Sequence, residues 1–161
     1  MDPELKNTLR ALRGHGRFQL QRRLYQHGTT TVMRHCINVA AASLLLARVL
    51  RLRVDKQALI RGALLHDYFL YDWHDPSRKR EGLHGFVHPK TALKNAREDF
   101  ELSPVEENII VRHMFPLTPH PPACREAWLV CAADKYCALQ ETVRPFFSRL
   151  RRRSSGAKRR P

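Results

Sequence analysis

Acidic residues are scarce in this sequence of 161 residues, which has 15 Asp and Glu against 29 Lys and Arg and a formal net charge of +14. The imbalance is greatest in segment 144–161, which contains eight basic residues and no acid. We expect this segment, with its Ser154-Ser155-Gly156, to be a disordered tail in the free protein, either purely solubilising or able to bind RNA, DNA or an anionic surface weakly. The remaining positive charge favours an anionic substrate.

Cysteines are few, and long apolar runs are lacking. The four cysteines have no CxxC spacing, so we interpret them as reduced, small apolar residues rather than disulfides or a zinc site. No apolar run looks long enough to cross a bilayer, and Met1-Asp2-Pro3-Glu4 is unlike the start of a secretory signal peptide. We therefore expect a cytoplasmic protein with no membrane span.

Strand-like alternation of apolar and polar residues is also missing, which predicts an all-α fold, a compact single-domain bundle of about six to seven helices. Region 1–26 should be helical, broken at Gly14-His15-Gly16, and should pack on a core domain at 27–143, followed by the tail at 144–161. The predicted second helix is 18–26, and the core helices are expected near 31–51, 56–68, 89–101, 104–114 and 123–143.

The most informative feature is His66-Asp67, at the end of an apolar helical stretch that includes Leu59, Ala63 and Leu65. Burying a carboxylate without a compensating charge or hydrogen bonds costs several kcal/mol, about what a small domain can spare. This pair therefore needs a partner, and a divalent metal ion is the first candidate.

Further residues of types that bind metal ions lie on the apolar faces of predicted helices. His35 shares a face with Val32 and Val39, and Asp134 lies on a face of small apolar residues. Ser103, Pro104 and Glu106 predict a capping box, and counting from that helix start places His113 on the same inward stripe as Ile109.

Each position has a simpler interpretation. A histidine on an apolar face is commonly a hydrogen-bonded core residue, and Asp134 could pair with Arg61 or Lys135. The conjunction of three histidines and two aspartates facing one core instead predicts a metal site. A His and Asp shell without cysteine suits Mn, Fe, Co, Ni, Zn or Mg, and we favour Mn or Fe.

The order His35, His66-Asp67 and Asp134 resembles the HD superfamily of metal-dependent phosphohydrolases over about residues 27–142. The stretches that carry the resemblance are 62–67 (GALLHD), 84–89 (HGFVHP), 112–114 (RHM) and 132–135 (AADK). The resemblance implies that His35, His66, Asp67 and Asp134 hold a first metal ion. It further implies that His88 and His113 hold a second ion, bridged through Asp67.

His88 has a rival. Pro89 suits the first position of a helix and would leave His88 at a loop-to-helix junction, where it is either an exposed ligand or only a cap. His84, four residues upstream, is the alternative ligand, and we favour His88.

Two departures limit the resemblance. Many family members have a lysine three residues after the aspartate of the pair, and here that position is Leu70. We expect Asp72 or its neighbours at 71–75 to supply a proton donor or substrate contacts, and Lys135 to contact phosphate. The sequence His113-Met114 and the lack of a Gly-Tyr-Pro signature place the chain outside the branch that cleaves cyclic dinucleotides.

These expectations describe an enzyme that hydrolyses a phosphoester of a nucleotide or related small molecule, as a phosphomonoesterase or a phosphodiesterase, through a metal-activated water. Asp67, Lys135 and Asp72 are its predicted catalytic residues. In one alternative a single metal is bound and His88 and His113 contact substrate. In the other, the protein is a catalytically idle HD module with a structural metal and a tail that binds nucleic acid.

Overall fold

The computed structural model describes residues 1–27, 29–75 and 82–156. Six α-helices account for nearly all of the regular structure in these residues, which confirms the predicted all-α class. The helices are α1 (Pro3–Arg13), α2 (Val32–Val49), α3 (Lys56–Leu65), α4 (His84–Asp99), α5 (Pro104–Arg112) and α6 (Arg125–Gly156).

The N-terminal helix covers one side of the core. Asp2 caps α1 by accepting hydrogen bonds from the backbone nitrogens of Glu4 and Leu5, and Gly14 ends the helix at the predicted break. Its buried leucines pack against α3, as an amphipathic helix requires.

The helix predicted over 18–26 is wrong beyond Arg22. Phe18–Arg22 forms a 3₁₀ helix, and the chain then becomes extended. Strand β1 (Tyr25–His27) pairs antiparallel with β2 (Thr30–Thr31), because β-branched and aromatic residues on both sides of the turn favour extended backbone. This short ribbon turns Gln26 into the core.

Helices α2, α3, α5 and α6 form the centre of the bundle. Helix α2 packs against α3 and α6, and α5 packs against α3 and α6. The predicted capping box at the start of α5 is confirmed, with Ser103 Oγ accepting from the Glu106 nitrogen at 3.3 Å and Glu106 Oε2 accepting from the Ser103 nitrogen at 2.7 Å. Each central helix contributes one end or one face to the same interior point.

Helix α4 begins at His84, five residues before the predicted start at 89. Pro89 lies inside the helix rather than at its first position. Only one turn precedes it, so its missing N–H removes a single helical hydrogen bond. His88 is consequently the fifth residue of a helix and is buried, not at an exposed junction.

The last helix also exceeds its predicted end. The backbone of α6 is helical through Gly156, whereas we expected the helix to end near 143 and segment 144–161 to be a disordered tail. Arginine and leucine are good helix formers, and one proline at 145 removes one backbone donor without ending the helix. Residues 157–161 of the predicted tail lie outside the described residues, and nucleic-acid binding by the tail stays a prediction.

By length and composition α2 could cross a membrane, which corrects the expectation that no segment is long and apolar enough. It has 18 residues with a mean hydropathy of 1.3, and 44% of it is buried within the protein. A core helix passes the same test, so this is weak support for a span. The burial of His35 and Val39 identifies α2 as part of the core.

Candidate metal centre

Asp67 is the centre of a buried cluster of ionisable side chains. It follows the C-terminal end of α3, and 1% of its surface is exposed. Its Oδ2 lies 3.3 Å from His66 Nε2 and 3.8 Å from His35 Nε2. Its Oδ1 lies 3.2 Å from His88 Nε2 and 3.6 Å from His113 Nε2. The two oxygens thus face two different pairs of histidines.

Asp134 of α6 closes the cluster on the side of His35. Its Oδ1 lies 3.0 Å from His35 Nε2 and 3.7 Å from His66 Nε2. The pairing of Asp134 with Arg61 or Lys135 is not observed, because Arg61 binds Glu106 Oε1 at 2.6 Å and the Lys135 ammonium binds backbone carbonyls. All six predicted metal ligands therefore lie together, from α2, the end of α3, α4, the end of α5 and α6.

Backbone carbonyls fix the orientation of three of the imidazoles. The Nδ1 atoms of His66, His88 and His113 lie 2.8, 2.9 and 2.8 Å from the carbonyl oxygens of Ala63, His84 and Ile110. We assign the Nδ1 proton to these bonds, since a carbonyl only accepts. In the neutral tautomer each Nε2 then carries a lone pair directed into the cluster.

These lone pairs lie close to other nitrogen and oxygen atoms that also carry lone pairs. His88 Nε2 and His113 Nε2 are 2.8 Å apart, and both lie near the carboxylate of Asp67. Asp67 Oδ1 and His66 Nε2 are buried and make no hydrogen bond within the described residues. Such an arrangement needs positive charge, supplied by protons or by metal ions.

Protons supply part of this charge in the metal-free protein. Burial opposes protonation of His35, but hydrogen bonds to Asp134 and Glu141 outweigh it and raise the pKa of His35 to about 10. Burial likewise opposes the charged form of His66, but the charge of Asp67 raises the His66 pKa well above its usual value. The pKa of Asp67 is held well below its usual value, because the charge of His66 overcomes the effect of burial.

His113 is different, because burial and the charges of His66 and His88 lower its pKa to about 3. It is therefore neutral near pH 7, the state in which imidazole binds a metal.

The donor set fits divalent metal ions. Three overlapping groups of donor atoms lie within 4.8 Å of one another: His35, His66 and Asp67; His66, His113 and Asp134; and Asp67, His88 and His113. Imidazole nitrogen and carboxylate oxygen without thiolate suit first-row divalent ions such as Mn, Fe, Co, Ni or Zn. The residues present could hold one or two such ions.

His84, the rival of His88, has a different environment. Its ring stacks between Trp73 and His88, with centroids 4.8 and 4.5 Å away and interplanar angles of 9° and 21°. Its Nδ1 is 3.0 Å from the hydroxyl of Tyr71. The stack supports the ring of His88, and none of the three donor groups includes His84.

The predicted catalytic residues outside the cluster lie in two different places. Lys135 lines the cavity over the cluster, and its Nζ donates to the carbonyls of His113 at 2.9 Å and Cys131 at 3.3 Å. Asp72 is exposed, accepts from the backbone nitrogen of His74 at 2.9 Å, and is not among the described residues that line the cavity. The structure therefore does not bring Asp72 to the site, and its catalytic role stays a prediction.

Two residues of the site were missed by sequence reasoning. Gln26 Nε2 donates to Asp67 Oδ2 at 2.6 Å, and Glu141 Oε2 lies 2.9 Å from His35 Nδ1. A carboxylate behind a histidine raises the basicity of a metal ligand and fixes its orientation. The position of Glu141, seven residues or two helical turns after Asp134, could have indicated it, whereas no sequence signal marks Gln26.

A cavity of about 520 Å³ opens over the cluster. Asp67, His88, His113 and Asp134 contribute to its lining, so the cavity borders the cluster. Its volume is within the range of roughly 300–1,000 Å³ that is typical of small-molecule sites.

The fold and the cluster define an all-α domain with a buried His and Asp metal centre. The HD domain family matches residues 32–139, about two thirds of the sequence, and the chain therefore belongs to this family. HD domains are in general metal-dependent phosphohydrolases that bind divalent metals, and the buried cluster is compatible with that property. No curated protein and no solved structure matches the chain.

Proposed function

We propose that this protein is a metal-dependent phosphohydrolase that cleaves a phosphoester of a small molecule, of which nucleotides are the class implied by the family resemblance. The main support is the position of Asp67, whose two oxygens face separate histidine pairs at the floor of a cavity. His35, His66, Asp67 and Asp134 would hold a first divalent ion, and His88 and His113 would hold a second one together with Asp67. We favour Mn or Fe for these ions.

A bound divalent ion lowers the pKa of water and offsets the negative charge that develops on phosphoryl oxygens. In the hydrolysis the oxygen of water bonds to phosphorus, the phosphorus–oxygen bond of the ester breaks, and the alcohol leaves with a proton. The side chains of this protein would orient the phosphoryl group over Asp67 and exclude bulk water on the apolar side of the cavity.

Lys135 is proposed to contact a phosphoryl oxygen. Leu70 occupies the position of the lysine found in many family members, and Lys135 is the lysine among the described residues that line the cavity. Its ammonium has three N–H donors, and the carbonyls of His113 and Cys131 and the Sγ of Cys131 accept from it, so a phosphoryl oxygen would replace the weak sulfur contact. These bonds hold the ammonium beside the cavity, where its charge favours an anionic ligand.

The test is release of phosphate or alcohol from a panel of nucleotides and p-nitrophenyl phosphoesters, with Mn²⁺ added or chelated away. Turnover that needs both Mn²⁺ and Asp67 is expected, so Asp67→Ala should abolish it while circular dichroism shows an intact fold. Glu101→Gln, at an exposed residue outside the cavity, is the matched control and should keep wild-type turnover. Equal turnover in Asp67→Ala, or no release by metal-loaded protein, would overturn the proposal; the second result favours an idle HD module with a structural metal.

A further inference from the structure

The walls of the cavity away from the metal centre are built mainly from apolar side chains. They are Trp73, Met114, Pro116, Leu117 and Ala138. Met114, Pro116 and Leu117 follow α5 directly, and Ala138 lies one helical turn after Asp134 on α6. The apolar wall is thus attached to the same helices that carry the proposed metal ligands.

The apolar surface continues to the outside of the molecule. Leu117 lines the cavity and is 47% exposed, and it lies so close to α4 that a Cβ atom added to Gly85 would be 2.7 Å from its Cδ2. Leu83 and Phe86, which flank the cavity-lining residues His84 and Gly85, are 69% and 46% exposed. An exposed apolar side chain that lines a cavity, as that of Leu117 does, is available to a bound molecule.

Polar partners for a substrate are few among the described residues that form these walls. Outside the six clustered residues, the described lining residues offer Gln26, Trp73, His84 and Lys135 as polar side chains. Gln26 Nε2 binds Asp67, the His84 ring is stacked and contacts Tyr71, and Lys135 Nζ binds two carbonyls and Cys131 Sγ. Gln26 Oε1 and Trp73 Nε1 are buried and make no hydrogen bond within the described residues, so these two atoms are the polar groups that the walls offer to a ligand. A sugar buried against such walls would leave several hydroxyls without partners, which lowers affinity.

We infer that the substrate is a phosphoester whose organic group is apolar, an alkyl or aryl group that packs against Trp73, Met114 and Leu117 while the phosphoryl group faces Asp67. This inference rests on the proposed function, and it narrows the substrate from small phosphoesters in general to esters of apolar alcohols, in place of the nucleotides that the family resemblance implies. Burial of such a group against the apolar walls would increase the affinity for the substrate. The clustered histidines and aspartates would act on its phosphoryl group.

A series of n-alkylphosphonates from methyl to octyl tests the inference by binding alone, because their carbon–phosphorus bond is not an ester and is not hydrolysed. Their Kd values for the Mn²⁺-loaded protein are measured by calorimetry. Each added methylene should tighten binding about fourfold, which corresponds to about 0.8 kcal/mol, until the cavity is filled. A Kd that does not change with chain length, or tighter binding of a nucleoside 5′-phosphonate than of any alkylphosphonate, would overturn the inference.

Two variants test whether the alkyl chains bind against the apolar wall of the cavity. Leu117→Gln should flatten the dependence on chain length, because it replaces an apolar side chain of the wall with an amide. Leu45→Gln on α2 is the control, since Leu45 is 60% exposed and is not among the described cavity residues. If Leu45→Gln flattens the dependence as much as Leu117→Gln does, the alkyl chains bind elsewhere and the inference fails.

Tryptophan fluorescence provides a second measurement of where the alkyl chain binds. Trp73 and Trp128 are the two tryptophans of the protein, so Trp128→Phe leaves Trp73 as the single indole fluorophore beside the cavity. Octylphosphonate should shift its emission, and methylphosphonate should not; no shift on octylphosphonate binding would contradict the inference. Turnover of the phosphoester panel combined with chain-length-independent binding would overturn this inference alone, whereas absent turnover overturns the proposed function itself.

Discussion

The side-chain amide of Gln26 donates to Oδ2 of Asp67 over 2.6 Å, and both residues are buried. This bond fixes the carboxylate so that Oδ2 faces His35 and His66 while Oδ1 faces His88 and His113. Gln26 therefore positions the one proposed ligand that both metal ions would share.

Gln26→Leu should consequently weaken binding of Mn²⁺. Loss of such an outer partner typically costs about 10- to 100-fold in metal affinity. Calorimetric titration of Mn²⁺ into the variant measures the loss, and Gln57→Leu, at an exposed residue of α3, is the control. Unchanged affinity in Gln26→Leu would show that the carboxylate is held without this bond.

Metal binding should release protons and become tighter as the pH rises. The pKa of His35 is raised to about 10 and that of His66 is also raised, so both imidazoles are protonated near pH 7 in the metal-free protein. A metal ion must displace these protons, because only neutral imidazole is a ligand. Calorimetry in buffers of different ionisation enthalpy should find at least one proton released per ion at pH 7, and the Kd of Mn²⁺ should fall between pH 6 and pH 8. A Kd independent of pH would contradict the assigned protonation.

Gly62 and Ile109 set the distance between two proposed ligands. A Cβ atom at Gly62 would collide with Cδ1 of Ile109 and lie 3.0 Å from its Cβ, and each residue is four positions before a ligand, His66 or His113. The two imidazole centroids are 4.8 Å apart. Gly62→Ala should destabilise the protein by about 1–3 kcal/mol and weaken metal binding, because α3 and α5 must separate.

Urea unfolding and Mn²⁺ titration measure both effects of Gly62→Ala. Adding Ile109→Val should restore part of each loss, because the smaller side chain makes room for the new methyl group. If Gly62→Ala were as stable as the wild type, the contact between Gly62 and Ile109 would not set the distance between His66 and His113.

Asp99 attaches the N-terminal region to the core. It accepts hydrogen bonds from Arg17 Nε at 2.9 Å and from the hydroxyl of Tyr68 at 2.7 Å. Burial alone would raise the pKa of Asp99, but these bonds outweigh it and hold the pKa below its usual value. Asp99→Asn should therefore lower the free energy of unfolding by about 1–3 kcal/mol at pH 7.

The effect of Asp99 should depend on pH. Because its folded pKa is lowered, its contribution is complete above the unfolded pKa of about 4 and is lost as the pH falls through the folded pKa. Urea unfolding at pH 7 and near pH 3 should show a smaller difference between wild type and Asp99→Asn at the lower pH. Glu98→Gln is the control, since Glu98 is half-exposed and makes one bond to Arg17, and its effect should stay below about 1 kcal/mol.

Helical periodicity was sufficient to predict the inward positions of His35 and Asp134, which lie on apolar stripes of long helices, and of His113, which follows the nine-residue α5 directly. It failed where tertiary contacts outweigh local preference. Pro89 is typical of a helix start, but the stacking of His84 on Trp73 and His88 accompanies an earlier turn of α4. Gln26 lies in a ribbon of two short strands, which is too short for a periodic pattern, and glutamine by itself carries no metal-ligand signal.

The departure at Leu70 was visible in the sequence, which offered Lys135 and Asp72 as catalytic residues but did not show which of them lies at the site. A sequence shows that the usual lysine is missing, and only the packing shows that Lys135 lies beside the cavity while Asp72 faces solvent. Side chains that act from loops and helix ends are placed by contacts between distant parts of the chain. Periodicity does not report such contacts.

Titration of Mn²⁺ into metal-free wild type and Asp67→Ala, followed by metal analysis of the dialysed proteins, tests the central claim most directly. We predict that the wild type retains one or two ions per chain and melts at a higher temperature with Mn²⁺, because an ion bound only by the folded state stabilises it by about 2.7 kcal/mol at 100 times its Kd. Asp67→Ala should retain fewer ions and gain less stability. Wild-type protein that retains no Mn²⁺, Fe²⁺, Co²⁺, Ni²⁺ or Zn²⁺ and melts at the same temperature with and without them would contradict the claim that the histidine and aspartate cluster is a metal centre.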